Sequence, residues 1–176
     1  RKERMSDAVH NYLRETLDER DDLELNPVDI ATLASNKTIA AWQEEDVAKE
    51  WRAIVAKSDA FIVVSPEYNF GMPGELKMLL DMDFDGYLGK PVLLAGVSGG
   101  RLGGAHVVSH HMSTYAKFGL VWVPSELYFG NVGDFAKQTK EQQDEAYKKR
   151  VEKAVAKLLV YCKHMDGIGA RLVNVS

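Results

Sequence analysis

Residues 59–81 read DAFIVVSPEYNFGMPGELKMLLD and hold the pattern that decides the fold. The run 59–65 is apolar almost throughout, which is typical of a parallel strand covered on both faces. The loop 66–74 is rich in proline and glycine, and the leucines after it recur at helical spacing. The stretch therefore predicts a strand, a loop and a helix in direct succession.

The same order recurs further along the chain. Residues 91–98 predict a second buried strand, which runs into the glycine-rich loop 99–104 and then a helix over 105–118. A third core strand is predicted at 120–123, extended by 126–129. Amphipathic helices are predicted at three further places: 5–19, 44–57 and 141–165.

Strands that alternate with helices predict an α/β fold, in which a parallel sheet has helices on both faces. Ligands of such folds bind beyond the carboxyl ends of the strands. Because the loops 66–74 and 99–104 both follow a buried strand, we expect them at the same edge of the sheet. Two outer segments also have strand patterns: 23–30, which contains a proline typical of an edge strand, and 171–176.

Composition limits the classes of protein. The chain has 176 residues, of which 45% are hydrophobic and 27% charged, as in a single globular domain. Lys and Arg number 22 and Asp and Glu 26, so the net charge of −4 disfavours nucleic acid as a partner. The lone Cys162 permits no intrachain disulfide and fits a reducing, cytoplasmic setting. Apolar runs fall short of the roughly 20 residues of a membrane helix, so no membrane partner is expected.

The motif at residues 65–81 resembles the signature of the NADPH-dependent FMN reductase family. Ser-Pro-Glu-Tyr-Asn is followed by small and aromatic residues, Pro-Gly, and a Leu-Lys helix that ends in Asp. Residues 97–112, VSGGRLGGAHVVSHHM, resemble the family's third flavin-facing loop, and the charged opening 1–9 resembles the end of its phosphate loop. The resemblance implies one domain over 1–176 with a flavodoxin-like three-layer α/β/α sandwich and a five-stranded parallel sheet in the order 2-1-3-4-5.

The resemblance also implies an enzyme that binds FMN and uses NADPH or NADH as co-substrate. Hydride would pass through FMN to a flavin, quinone, azo or similar small-molecule acceptor, and no side chain need act as nucleophile because the flavin carries the chemistry. Relatives assemble as homodimers or homotetramers. The alternatives are an electron carrier without NADPH turnover, which the modest net charge disfavours, and a binding protein without turnover.

Three residues at the start of helix 5–19 are predicted to hold the FMN phosphate: Arg1, Arg4 and Ser6. Phosphates bind backbone N–H groups at helix N-termini, helped by cations. The alternative is an ordinary solvated, helix-capping N-terminus.

The resemblance assigns six residues of the loop 66–74 to the cofactor site: Pro66, Glu67, Tyr68, Asn69, Phe70 and Gly71. The Asn69 amide is expected to bond the polar edge of the flavin or its ribityl chain. Phe70 and Met72 would border the ring or the nicotinamide pocket, whereas Glu67 and Tyr68 would hold the loop's shape or meet a partner subunit.

Five residues of the second loop are assigned in the same way: Ser98, Gly99, Gly100, Arg101 and Gly103. Backbone N–H groups here would stabilise the negative charge of a reduced flavin. Arg101 is a candidate cation for that charge or for the NADPH phosphate; the alternative is a flexible loop with a solvated arginine.

No metal site is predicted. His106, His110 and His111 lack a His-Glu-x-x-His motif, so a helix surface or a subunit contact is expected for them.

The family's first strand, central in its sheet, is missing from the front of this sequence. The sequence could be a fragment or an incomplete record. The tail 171–176 could instead fill the vacant place, in effect a circular permutation, or it could be loose or exchanged between subunits.

Overall fold

A computed structural model describes residues 4–33 and 35–173. Four strands and seven α-helices alternate along this part of the chain: α1 (Ser6–Asp18), α2 (Asp46–Lys57), β1 (Phe61–Pro66), α3 (Gly74–Leu80), β2 (Pro91–Val97), α4 (Ala105–Lys117), β3 (Val121–Trp122), β4 (Leu127–Phe129), α5 (Val132–Phe135), α6 (Lys140–Met165) and α7 (Ile168–Val173). Short 3₁₀ turns lie at Ile30–Thr32 and Asp85–Tyr87.

The strands form one parallel sheet around β2. β1 pairs with β2 along its whole length, from Phe61 opposite Val92 to Pro66 opposite Val97. On the other side of β2, β3 pairs with its first residues and β4 with its last three. β3 and β4 thus act as two halves of one interrupted strand, as the prediction of a strand at 120–123 extended by 126–129 implies.

Helices cover both faces of the sheet, which gives two apolar cores. All seven residues of β2 are buried, and they alternate between the faces: Leu93, Ala95 and Val97 pack with α1 and α6, whereas Val92 and Leu94 pack with α2, α3 and α4. This two-sided burial explains the continuous apolar run in the sequence. The α/β architecture with helices on both faces is confirmed.

The prediction of an edge strand at 23–30 is wrong. Residues 23–29 have no regular structure, although Leu23 and Leu25 pack against the core beside α1 and α6. The Asp29 side chain accepts a hydrogen bond from the Ala31 backbone N–H at 3.0 Å, which turns the chain into the 3₁₀ turn. A strand forms only where a neighbour completes its backbone hydrogen bonds, and no described strand pairs with this segment.

The predicted strand at 171–176 is also wrong for its described part. Residues 171–173 belong to α7, and 174–176 lie outside the described residues. Gly167 adopts φ 71°, a left-handed conformation that redirects the chain after α6. α7 then packs against the 3₁₀ turn at 85–87, so residues 168–173 do not fill the place of a first strand.

The described sheet therefore has four strands, and the five-stranded order 2-1-3-4-5 stays a prediction. Among residues 4–33 and 35–173, no helix combines the length and the apolar character that crossing a bilayer requires.

Candidate functional site

A cavity of about 510 Å³ opens at the carboxyl-end edge of the sheet. Four segments line it: the start of α1, the loop after β1, the loop after β2, and the loop after β4 together with the start of α5. The lining residues are Arg4, Met5, Ser6, Pro66, Glu67, Tyr68, Val97, Ser98, Gly99, Asn131, Val132, Gly133 and Asp134. The two loops that the sequence placed at one edge do meet there, and the volume lies within the range of small-molecule sites.

The loop after β1 makes a tight turn. Tyr68 and Gly71 exchange two backbone hydrogen bonds, of 3.0 and 2.9 Å, across Asn69 and Phe70. Both central residues are left-handed, with φ of 49° and 67°. Asn tolerates this conformation, but Phe rarely adopts it, so the turn stores backbone strain at Phe70. Strain of this kind is common at binding sites.

Glu67 joins this loop to α4. Its Oε2 accepts hydrogen bonds from the backbone N–H groups of His106 and Val107, at 3.0 and 3.1 Å. The Phe70 ring lies on the His106 ring with the centroids 4.2 Å apart. The loop after β1 and the first turn of α4 are therefore in direct contact.

The loop after β2 is held by Ser98. Its Oγ accepts a hydrogen bond from Gly104 N–H at 3.1 Å and donates one to the Gly100 carbonyl at 3.0 Å. Gly104 has φ 82°, and a Cβ there would stand 2.6 Å from the backbone nitrogen of Val97. Only glycine fits where the loop folds back against β2.

Arg4 lies in the cavity wall, but its charge is already paired. The guanidinium makes two hydrogen bonds of 2.6 Å to the carboxylate of Asp29 and lies 3.2 Å from Asp7. Its hydrogen bonds to Asp29 raise the pKa of Arg4, and the same contact lowers the pKa of Asp29 to about 2. α1 begins beside Arg4 without a side-chain cap. The helix start itself, more than a free cation, is thus what the cavity offers an anion.

The loop after β4 belongs to the site, and the sequence analysis missed it. Asn131 is left-handed, with φ 48°, and the N–H groups of Asn131 and Val132 donate to the carbonyls of Gly100 and Ser98. These bonds bind the loop after β4 to the loop after β2. The Gly130-Asn131 pair directly after a predicted strand is the turn signal that could have found it.

The predicted site residues fall into three groups. Seven line the cavity: Arg4, Ser6, Pro66, Glu67, Tyr68, Ser98 and Gly99. Six lie in the same loops but not in the cavity wall: Asn69, Phe70, Gly71, Gly100, Arg101 and Gly103. Arg1 lies outside the described residues. Besides the loop after β4, Met5 and Val97 also line the cavity and were not predicted.

The three histidines of α4 differ in their surroundings. His106 and His110 are exposed, but His111 is fully buried, which corrects the expectation of a surface or subunit contact for it. Its Nε2 lies 2.9 Å from Ser65 Oγ, at the end of β1. Across the described ranges, no group of three His, Cys, Asp or Glu side chains is placed to hold a metal ion.

Comparison with known proteins identifies the family. The family described as NADPH-dependent FMN reductase matches residues 1–134. The chain belongs to this family. The match contains every segment that lines the cavity, including the loop after β4.

Two relatives of the FMN reductase family illustrate the similarity. An NAD(P)H-dependent FMN reductase of Schizosaccharomyces pombe is 36% identical over 75 residues, which are 42% of this chain and 36% of that protein. A quinone reductase of Pseudomonas putida is 36% identical over 74 residues, 39% of this chain and 40% of that protein. The matches thus span about two fifths of the relatives' own lengths or less.

Solved structures share the fold. FerB, a flavoenzyme NAD(P)H:(acceptor) oxidoreductase from Paracoccus denitrificans, superposes with a TM-score of 0.67 at 18% identity, over 92% of this chain and 93% of its own. An oxidoreductase from Corynebacterium diphtheriae gives a TM-score of 0.65 at 19% identity, over 90% of this chain and 86% of its own. At these identities the likeness shows the fold alone.

The cavity fits the chemistry of FMN. Its wall combines an uncapped helix start, suited to a phosphate, with loop backbone and small side chains that a flat ring can approach closely. Glu67 and Asp134 are the acidic lining residues, and the carboxylate of Glu67 is already bonded to α4.

Proposed function

We propose that this chain is an FMN-dependent NAD(P)H oxidoreductase of the quinone reductase type. The observation that carries the proposal is the cavity in which the loops after β1, β2 and β4 meet the start of α1. When bound, FMN would supply hydride transfer from NADPH or NADH to a flavin, quinone, azo or similar acceptor. Among these acceptors, the names of the matched relatives support a flavin and a quinone.

The residues of the cavity have distinct roles in this proposal. Ser6 and the first turn of α1 would bind the phosphate, with Arg4 sharing its charge between the phosphate and Asp29. Ser98 and Gly99 would present backbone donors to the ring. Arg101, exposed and without an ion-pair partner among the described residues, would attract the NADPH phosphate.

We extend the proposal to the whole chain. Residues 1–176 would act as a single FMN-binding domain, supported by two cores that share one sheet. The protein would be cytoplasmic and would assemble as a homodimer or homotetramer, with neither nucleic acid nor membrane as partner. The acidic net charge of −4 supports the exclusion of nucleic acid.

The test is a spectroscopic titration. We expect the purified protein to bind FMN, and anaerobic addition of NADPH or NADH to bleach the visible flavin band rapidly. Subsequent addition of a quinone should restore the band. Bound FMN that is reduced only slowly would indicate an electron carrier, and failure to bind FMN would overturn the proposal.

Asn69 provides a residue-level test of the site. Because Asn69 is left-handed, an alanine would disturb the turn by itself, whereas Asn69→Gly keeps the backbone and removes only the amide. We expect Asn69→Gly to weaken FMN binding about 3- to 10-fold, the loss of one hydrogen bond, with little change in melting temperature. Fluorescence titration measures the affinity. Wild-type affinity would show that the Asn69 side chain does not contribute to FMN binding.

A further inference from the structure

Glu67 has an unusual position for a charged residue in a flavin cavity. It is half-buried in the cavity wall, yet its carboxylate oxygen Oε2 is bonded to the backbone of α4, 3.0 Å from His106 N and 3.1 Å from Val107 N. A carboxylate that pointed into the cavity would oppose the negative charge of a reduced flavin. The observed contact places the charge of Glu67 at the first turn of α4.

Within residues 4–33 and 35–173, Glu67 is the side chain that bonds to the first N–H groups of α4. The helix runs for 13 residues, and its N-cap is Gly104, which has no side chain to accept a hydrogen bond. Glu67, 39 residues earlier in the chain than His106, supplies the missing acceptor. Acidic groups are favourable at this end of a helix because the unpaired N–H groups carry positive partial charge.

The same contact connects the two flavin loops. Glu67 begins the tight turn after β1, whereas α4 follows directly on the loop 98–104 after β2. The contact between the tilted rings of Phe70 and His106, with centroids 4.2 Å apart, is a second link between the same two elements. The loop after β1 and the start of α4 are thereby in contact at two points.

We propose that Glu67 is a positioning residue that locks the loops after β1 and β2 into one rigid rim around the cofactor. The inference rests on the proposed function, because the rim matters only if FMN binds between these loops. Glu67 acts through the backbone of α4, and its negative charge is engaged there. For FMN binding, the two hydrogen bonds between Glu67 and α4 should therefore be more important than the negative charge of Glu67.

The experiment separates geometry from charge with two substitutions. Glu67→Gln keeps an acceptor oxygen and removes the charge, whereas Glu67→Ala removes both. We expect Glu67→Gln to bind FMN within about threefold of wild type, with an unchanged flavin reduction potential. Glu67→Ala should bind FMN about tenfold or more weakly, because two charge-assisted hydrogen bonds are lost.

Amide hydrogen exchange gives a readout that does not depend on FMN. In the cofactor-free protein, the amides of His106 and Val107 should exchange faster in Glu67→Ala than in wild type, with Glu67→Gln in between. If wild type fails to bind FMN, the proposed function fails, but this exchange pattern still tests whether Glu67 holds the start of α4 in place. The matched controls are Glu75→Gln and Glu75→Ala, since Glu75 is an exposed residue at the start of α3.

Two results would overturn the proposal. One is a Glu67→Ala variant with wild-type FMN affinity and wild-type exchange at His106 and Val107. The other is a raised flavin reduction potential in Glu67→Gln, which would show that the carboxylate acts on the flavin directly. Should Glu67→Ala fail to fold, Glu67→Gln still decides between the two roles through its affinity and potential.

Discussion

His111 lies in the core beside Ser65, near the end of β1. Its side chain is fully buried, with Nε2 2.9 Å from Ser65 Oγ and with no partner for Nδ1 among the described residues. Burial, with a smaller contribution from His110, lowers the pKa of His111 to about 4. The ring is thus neutral at pH 7, and we assign the proton to Nε2, because a buried N–H without an acceptor is costly.

Stability should depend on the protonation of His111. Its pKa in the folded protein is below the ordinary value of 6.5, so the unfolded chain binds the extra proton first and stability falls as the pH drops from 6.5 to 4. The shift corresponds to about 3 kcal/mol. His111→Gln, which keeps a donor for Ser65, should lose this part of the pH dependence in chemical denaturation measured between pH 7 and pH 4.

The control for this prediction is His164→Gln, at an exposed position near the end of α6. It should leave the pH dependence as in wild type. If His111→Gln and wild type lose stability in parallel over that range, His111 does not titrate as proposed.

Residue roles were only partly predictable from the sequence. The family motif placed Glu67 and Ser98 in the site, but it could not show that the Glu67 carboxylate bonds to α4, since that contact spans 39 residues. The burial of His111 could have been predicted from its own helix: it lies four residues after Val107 and four before Tyr115, both of which are buried.

At the scale of elements, helices and strands could be predicted where the burial of their side chains follows a regular pattern in the sequence. β1, β2 and α6 have apolar periodicities that specify their structure locally, and α6 also begins with a capping box formed by Thr139 and Gln142. The segment 23–30 has a strand pattern but lacks a paired neighbour in the described structure, and a sequence pattern alone cannot report that absence. The loop after β4 was missed because its role depends on hydrogen bonds to the loop after β2.

Two glycines of the loop after β2 should differ in how much an alanine substitution destabilises the fold. Gly104→Ala should destabilise the fold by at least about 2 kcal/mol, because φ is 82° and the new Cβ would clash with the backbone of Val97. Gly99→Ala, in the same loop with nothing within 4 Å of a Cβ, should change stability by less than about 0.5 kcal/mol. Urea unfolding compares the two, and equal losses would mean that the loop does not pack as described.

At the scale of the whole molecule, β1 forms an outer edge of the described sheet. It pairs with β2 only, and four of its six residues, Phe61 to Val64, are half-buried although all are apolar. β2, by contrast, is buried throughout and pairs on both sides. An apolar strand with one open edge is a place where backbone hydrogen bonds are easily exposed to water.

Amide hydrogen exchange should reveal this asymmetry. In the isolated chain, the amides of β1 that point away from β2 should exchange at least about 100-fold faster than those in the middle of β2. Exchange monitored residue by residue by NMR measures the ratio. Equal protection that persists on dilution would show that the edge is paired within the molecule.

The meeting of loops at one edge was predictable because parallel strands bring their carboxyl ends together. The complete cavity was not predictable, because it also requires the start of α1 and the loop after β4 to approach the same edge.

The interruption between β3 and β4 separates the strand that pairs with the start of β2 from the strand that pairs with its end. Three hydrogen bonds lie at the break: from the Trp122 indole to Glu126 at 2.5 Å, from Lys157 to the Pro124 carbonyl at 3.1 Å, and from Ser125 N–H to the Val123 carbonyl at 2.8 Å. Because each half pairs with β2 on its own and Pro124 between them is exposed, we expect extra residues inserted after Pro124 to leave the register of β4 unchanged. New recognition segments could thus be grafted at this break while the cavity at the carboxyl-end edge of the sheet keeps its lining.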